Sequence, residues 1–302
     1  MILCAGEALI DLVPEPGGSL RPLAGGAVYN TAVALGRLGT SAAFLWPLSR
    51  DGFSDLLLRP LAEAGVDTSA CPRTDRPTTL AVVSLAGGEA RYSFYDEGSA
   101  GRMFATDDLP PLPSGLQALF IGGISLVPDP CGATVETLAA HAAAQGIPVM
   151  LDPNVRPFFI AEEAAYRARL DRLLGLAAIV KLSADDCAWL WPGADRETII
   201  RDLISKDARL VLLTSGAEGA LALTPRHRIE APAFQVTVAD TIGAGDTFNA
   251  GLLDALSRAG ALNRLDDLDE PTLAAALAFA SRAAAVTVSR PGADPPWRHE
   301  LA

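Results

Sequence analysis

The stretch Asp240-Thr241-Ile242-Gly243-Ala244-Gly245-Asp246-Thr247-Phe248-Asn249-Ala250-Gly251 governs how the rest of the chain is read. It follows a strand-like run over 234–238 and opens a helix-like segment over 245–259. Two glycines just before a helix let the backbone turn tightly and aim its N–H groups outward. The helix start adds a partial positive charge, and together these make a site for an anion. Asp246 stands at that start. A carboxylate there repels a phosphate, so it does not serve to bind one. It makes sense if it takes a proton from a hydroxyl that attacks the phosphate. Taken alone, a Gly-x-Gly-Asp is equally an ordinary turn followed by an N-terminal cap. No Gly-x4-Gly-Lys-Ser/Thr loop occurs, so the anion site is not that of a P-loop kinase.

Outward from this string, short apolar runs alternate with helix-like segments. Strands are predicted over 2–5, 42–46, 118–121, 148–151, 178–180, 210–213 and 219–223. Helices are predicted over 29–38, 55–64, 131–145, 162–173, 184–190 and 195–205, with 245–259 and 270–288 closing the chain. Near-continuous apolar strands separated by helices indicate an α/β fold, with a mainly parallel sheet covered on both faces. One region breaks the alternation. The runs 78–85 and 89–95 flank Ala86-Gly87-Gly88, a hairpin signal. With 9–13 and 20–23 they could form a small separate sheet. Such a sheet is either a flap that closes over a site and excludes water or a static edge hairpin.

The chain has 302 residues, half of them hydrophobic, enough for a large core. Its formal net charge of -12 repels phosphate backbones and argues against nucleic acid as a partner. None of the four cysteines lies in a Cys-x-x-Cys pair, and the three histidines are scattered. A zinc site and a disulfide framework are both excluded on that pattern. The start lacks a basic segment and meets an acid at Glu7, unlike a signal peptide. No apolar stretch is expected to reach the roughly 18 residues that span a bilayer. The expectation is a soluble, cytoplasmic protein with no membrane partner. There are no internal repeats and no linker, so one domain is expected over 1–302, with lid segments near 9–25 and 76–100.

The twelve-residue string resembles the signature of the ribokinase-like (PfkB-type) carbohydrate kinases, and the resemblance covers nearly the whole chain. It implies a three-layer α/β/α sandwich with a mainly parallel central sheet and a small β-sheet lid. It implies that Gly243, Ala244 and Gly245 supply the anion hole and Asp246 the catalytic base. Gly6-Glu7-Ala8-Leu9-Ile10-Asp11 resembles the family's first strand and its sugar-binding acid, Asp11. Gly25-Gly26-Ala27-Val28-Tyr29-Asn30 resembles its first signature, in which Gly25 and Gly26 let backbone approach the sugar and Asn30 bonds a hydroxyl. A carboxylate, a carboxamide and close backbone suit a polyol.

Ala27 stands where ribokinases carry a lysine, which is closer to fructokinases and 2-keto-3-deoxygluconate kinases. Tyr92 and Phe94, in Arg91-Tyr92-Ser93-Phe94-Tyr95, resemble the lid strand of those subfamilies; they either stack on the sugar or pack the lid. Arg156, in Asp152-Pro153-Asn154-Val155-Arg156, follows a strand and could fork onto a carboxylate or a phosphate oxygen, or bridge two loops. Lys181 matches a lysine implied to face the nucleotide phosphates. The family's Asn-x-x-Glu pattern for metal-bound water appears as Ser183-Ala184-Asp185-Asp186, with Asp186 the shorter-reaching acid. Thr214, Gly216 and Gly219 resemble the ATP loop, and Ser289 the segment that covers adenine. The resemblance therefore implies ATP and Mg2+. In some members carbonyls near Ser289 and from the Asp240 loop hold K+. Partners implied are a small sugar, ATP and a homodimer formed through the lid. Fructose is the favoured sugar. The alternatives are 2-keto-3-deoxygluconate, ribose or a nucleoside, and a non-catalytic sugar sensor.

Overall fold

The computed structural model describes residues 1–86 and 89–301. Along the chain the strands are β1 (Ile2–Ala5), β2 (Leu9–Pro14), β3 (Leu20–Gly25), β4 (Ala42–Leu45), β5 (Leu48–Ser49), β6 (Arg73–Thr74), β7 (Leu80–Ala86), β8 (Glu89–Tyr95), β9 (Ala118–Gly122), β10 (Val149–Asp152), β11 (Ile179–Ser183), β12 (Leu210–Thr214), β13 (Ala220–Leu223) and β14 (Arg228–Ala231). The helices are α1 (Ala27–Arg37), α2 (Ser54–Glu63), α3 (Cys131–Ala144), α4 (Glu163–Leu174), α5 (Ala184–Leu190), α6 (Arg196–Ser205), α7 (Ala244–Arg258) and α8 (Glu270–Val288).

Eight strands form one sheet in the order β14-β13-β12-β11-β10-β9-β1-β4. It is parallel from β4 to β12, while β13 and β14 close it antiparallel. Successive side chains on a strand face opposite ways. Every residue of β1, β4, β9 and β10 is buried, so both faces of the sheet are covered. The helices that cover it fall into groups: α1 packs on α7 and α7 on α8, while α3 packs on α4. Close approach in the first group comes from small residues: a Cβ on Gly251 of α7 would lie 2.8 Å from Ala280 Cα of α8.

The remaining long strands make a four-stranded sheet, β3-β2-β7-β8, in which β2 pairs antiparallel with β3 and parallel with β7. The hairpin partners are paired up to Ala86 and Glu89, and the expected turn residues Gly87 and Gly88 lie outside the described residues. A two-residue parallel pair, β5 with β6, has no signal in the sequence.

Two expectations are corrected. Residues 234–238 form no strand; Phe234, Val236 and Val238 are exposed, and no strand pairs with them. The chain is instead tied in just beyond, where Ala239 and Asp240 both donate N–H bonds to the Val288 carbonyl. Second, α8, at 19 residues, is long and apolar enough to cross a membrane by length and composition. Its apolar positions are spent on packing: Leu273, Ala276, Leu277, Ala280 and Ala283 are buried, and the helix lies along α7, β13 and β14.

Candidate active site

The glycine string folds as its residue types dictate. Gly243 is the residue before α7 and takes φ 77°, a left-handed conformation that disfavours side chains. A Cβ there would also lie 2.8 Å from Ala293 Cβ. Asp240 fastens this loop: its Oδ1 accepts from Ile242 N–H at 3.0 Å and its Oδ2 from Gly292 N–H at 2.9 Å. The Asp240 loop and the segment after Ser289 are thus held side by side. Ser289 caps the end of α8 and donates its hydroxyl to the Val286 carbonyl.

Asp246 is buried in the first turn of α7. Its Oδ2 accepts a hydrogen bond from Asn30 Nδ2 at 2.8 Å. Burial is the main influence on its carboxyl and pushes it up to about 7; the Asn30 bond and the Lys181 ammonium oppose this, and Asp152 and Glu7 add to it. A carboxyl that titrates near neutrality is poised to accept a proton.

Gly26 and the start of α1 pack against Glu7, a residue that carries no role in the sequence patterns above. Glu7 is buried at the end of β1, and its Oε1 accepts from Ala27 N–H at 3.0 Å while Oε2 accepts from Ser125 N–H at 3.2 Å. One carboxylate thereby joins β1, the start of α1 and the turn after β9. Gly26, at φ 114°, leaves no room for a Cβ against the Glu7 carbonyl, and Gly25 leaves none against Asp11 Oδ2. Gly25 thus sits against Asp11, and Gly26, whose carbonyl accepts from Asn30 N–H at 2.8 Å, sits against Glu7. Burial pushes the Asp11 carboxyl up to about 6.

Above them, Tyr92 of the lid lies parallel to Phe158, with ring centres 6.0 Å apart, and Phe94 meets Phe159 edge-on at 4.8 Å. Lid strand β8 therefore touches the loop that follows β10. Burial raises the Tyr92 phenol, with Asp11, Arg156 and Asp240 also acting on it. Arg156 itself is exposed and donates to the Asn154 and Val155 carbonyls, at 3.4 and 3.1 Å.

Lys181 is buried and donates to Asp152 Oδ2 at 3.0 Å. Burial weakens its hold on the proton, but Asp152, Asp186 and Asp246 outweigh this and raise its pKa above the usual lysine value. Asp186 is held by local hydrogen bonds. Its Oδ2 accepts from the Ser183 N–H and hydroxyl at 2.8 and 2.6 Å, Ser183 caps α5 in return, and Oδ1 accepts from Val155 N–H at 2.7 Å. Thr214 ends β12, and Gly216 (φ 52°) and Gly219 (φ 101°) shape the following turn, in which Ser215 N–H donates to the Gly219 carbonyl.

The chain matches the pfkB family carbohydrate kinases over residues 1–300. It belongs to that family. It is similar to a fructokinase of Rhizobium leguminosarum bv. trifolii, 44% identical over 281 residues, covering 90% of this chain and 85% of the relative. A fructokinase from Xylella fastidiosa, solved with bound ATP, superposes with a TM-score of 0.91 at 32% identity, covering 99% of this chain and 97% of that one. A fructokinase double mutant from Vibrio cholerae O395, solved with fructose, ADP and potassium ion, gives 0.86 at 28% identity over 97% and 93%. The ribokinase-like α/β fold with a separate small sheet follows from these matches together with the observed topology. This pfkB-family chain is a phosphotransferase that acts on a sugar hydroxyl.

Proposed function

We propose that the chain transfers the γ-phosphoryl group of ATP to a hydroxyl of fructose, with Asp246 as the base. One observation carries the assignment of the site: Asn30, from the sugar signature, donates to the carboxylate of Asp246, from the phosphate signature. A hydroxyl bound beside Asn30 is then within reach of the base. Asp11 and the Gly25-Gly26 backbone bind the other hydroxyls. The amides of Ala244, Gly245 and Asp246 stabilise the charge that develops on the transferred group. Tyr92 and Phe94, docked on Phe158 and Phe159, cover the sugar and exclude water.

ATP runs from Thr214, Gly216 and Gly219 towards Ser289, with Lys181 at the phosphate end. Mg2+ on nucleotide phosphates keeps several waters and needs few protein ligands. Asp186 fits this through water: Oδ2 is filled by Ser183, while Oδ1 accepts one bond and has a second lone pair. When bound, the ion neutralises phosphate charge. K+ would be held by backbone carbonyls of the two loops that Asp240 fastens together, since both Asp240 oxygens already accept N–H bonds.

The protein acts as one kinase domain with a lid, in the cytoplasm. Four free cysteines, three of them buried, suit a reducing compartment. Exposed Leu20 and Leu23 on β3 and Tyr95 on β8 support pairing of two lids at their edges. A second reading rests on Arg156: an exposed guanidinium, bonded only to carbonyls among the described residues, suits the carboxylate of 2-keto-3-deoxygluconate. Magnesium-dependent ADP release against fructose, 2-keto-3-deoxygluconate, ribose, tagatose and adenosine decides between them. Highest kcat/KM with fructose is expected. Preference for the sugar acid would establish the second reading, and sugar binding without ADP release would indicate a sensor.

A further inference from the structure

Behind Asp246 lies a buried polar cluster of which the proposed function uses only Lys181. Asp152 ends β10, Lys181 lies on β11, and Asn249 stands three residues after Asp246, on the same side of α7. All three are buried. One oxygen, Asp152 Oδ2, accepts from both Lys181 Nζ, at 3.0 Å, and Asn249 Nδ2, at 2.7 Å. The other oxygens, Asp152 Oδ1 and Asn249 Oδ1, have no hydrogen-bond partner among the described residues. A network kept for stability would pair them, or would be replaced by apolar side chains. Unpaired buried acceptors point to a role outside folding. The position supplies one: a Cβ on Gly245 would lie 3.3 Å from Lys181 Nζ, so the ammonium sits against the turn that forms the anion hole.

We propose that Asp152 and Asn249 are positioning residues that hold the Lys181 ammonium against Gly245, beside Asp246, where it steadies charge on the base and on the transferred phosphoryl group. This rests on Asp246 being the base. The charged groups acting on Asp246 are Lys181 from β11, Asp152 from β10 and Glu7 from the end of β1, with Asn30 of α1 bonded to it. Asp186 acts on both Asp152 and Lys181.

The test is the pH profile of kcat in the full-length enzyme, with ATP and the preferred sugar, for Lys181→Met and Asp152→Asn. Removing the ammonium should move the acid limb to higher pH, and removing the Asp152 charge should move it to lower pH, each by about one unit. A merely structural pair would lower kcat and leave the limb in place, so coincident limbs, or shifts in one direction, overturn the proposal. Asn249→Ala keeps both charges and carries the test if a charge variant fails to fold. It should lower kcat by about 10-fold through misplacement, with both KM values within twofold; wild-type kcat overturns the proposal. Asp246→Asn is run in parallel. Its full activity would sink the base reading, whereas an inactive Asp246→Asn with coincident limbs sinks only the positioning role.

Discussion

Three carboxyl groups sit where burial works against their charge: Glu7 and Asp246 are pushed up to about 7 and Asp11 to about 6. Each binds its proton more tightly in the folded chain than in the unfolded one. Stability from these groups is therefore fully present below about pH 4, near the unfolded values, and is lost as pH rises towards 7. Replacing Asp246 by asparagine removes the buried charge and should raise the melting temperature of the ligand-free protein at pH 8. The gain, on the order of a few kcal/mol, should vanish by about pH 4. Thermal melts at the two pH values check it, and an equal offset at both would refute the assignment. Of these residues, Asp246, Asp11 and Asn30 could be found from motifs. Glu7 and Asp152 lie within the quoted motifs, yet their roles could not be read there, because their partners lie far along the chain, 118 residues away for Glu7 with Ser125 and 97 for Asp152 with Asn249.

Among the elements, the short helix α5 shows how one acid can serve two segments. Ser183 and Asp186 cap it reciprocally, and the same carboxylate holds the Val155 amide in the loop that carries Arg156. Where the family pattern has Asn-x-x-Glu, this chain has a capping pair. Asp186→Ala should cost about 1–3 kcal/mol, by loss of a cap and exposure of a buried donor. Chemical denaturation measures it. Unchanged stability with a raised KM for ATP would instead make Asp186 purely a nucleotide-side residue. Helices with such caps were readable with their ends: α5 behind Ser183 and α8 behind Asp269. Alternation revealed the lid strands. Two-residue strands such as β5 and β6 are too short for any periodicity, and residues 234–238 carry a strand pattern with no neighbour to pair with.

Across the whole molecule, signatures near the two ends of the chain meet. Asn30 and Asp246 are separated by 216 residues and joined by one hydrogen bond, because α1 packs on α7. The parallel sheet follows from buried strands alternating with helices, and the meeting follows from that sheet's order, in which β1 lies between β9 and β4. No property of either motif alone foretells it. The proposed chemistry depends on Asp246 as the base at that junction. Its most direct test is steady-state turnover of Asp246→Asn with fructose and ATP, alongside ATP affinity by calorimetry. A fall in kcat of roughly 10²–10⁴-fold with ATP still bound is predicted. Turnover close to that of the unmodified enzyme would contradict it.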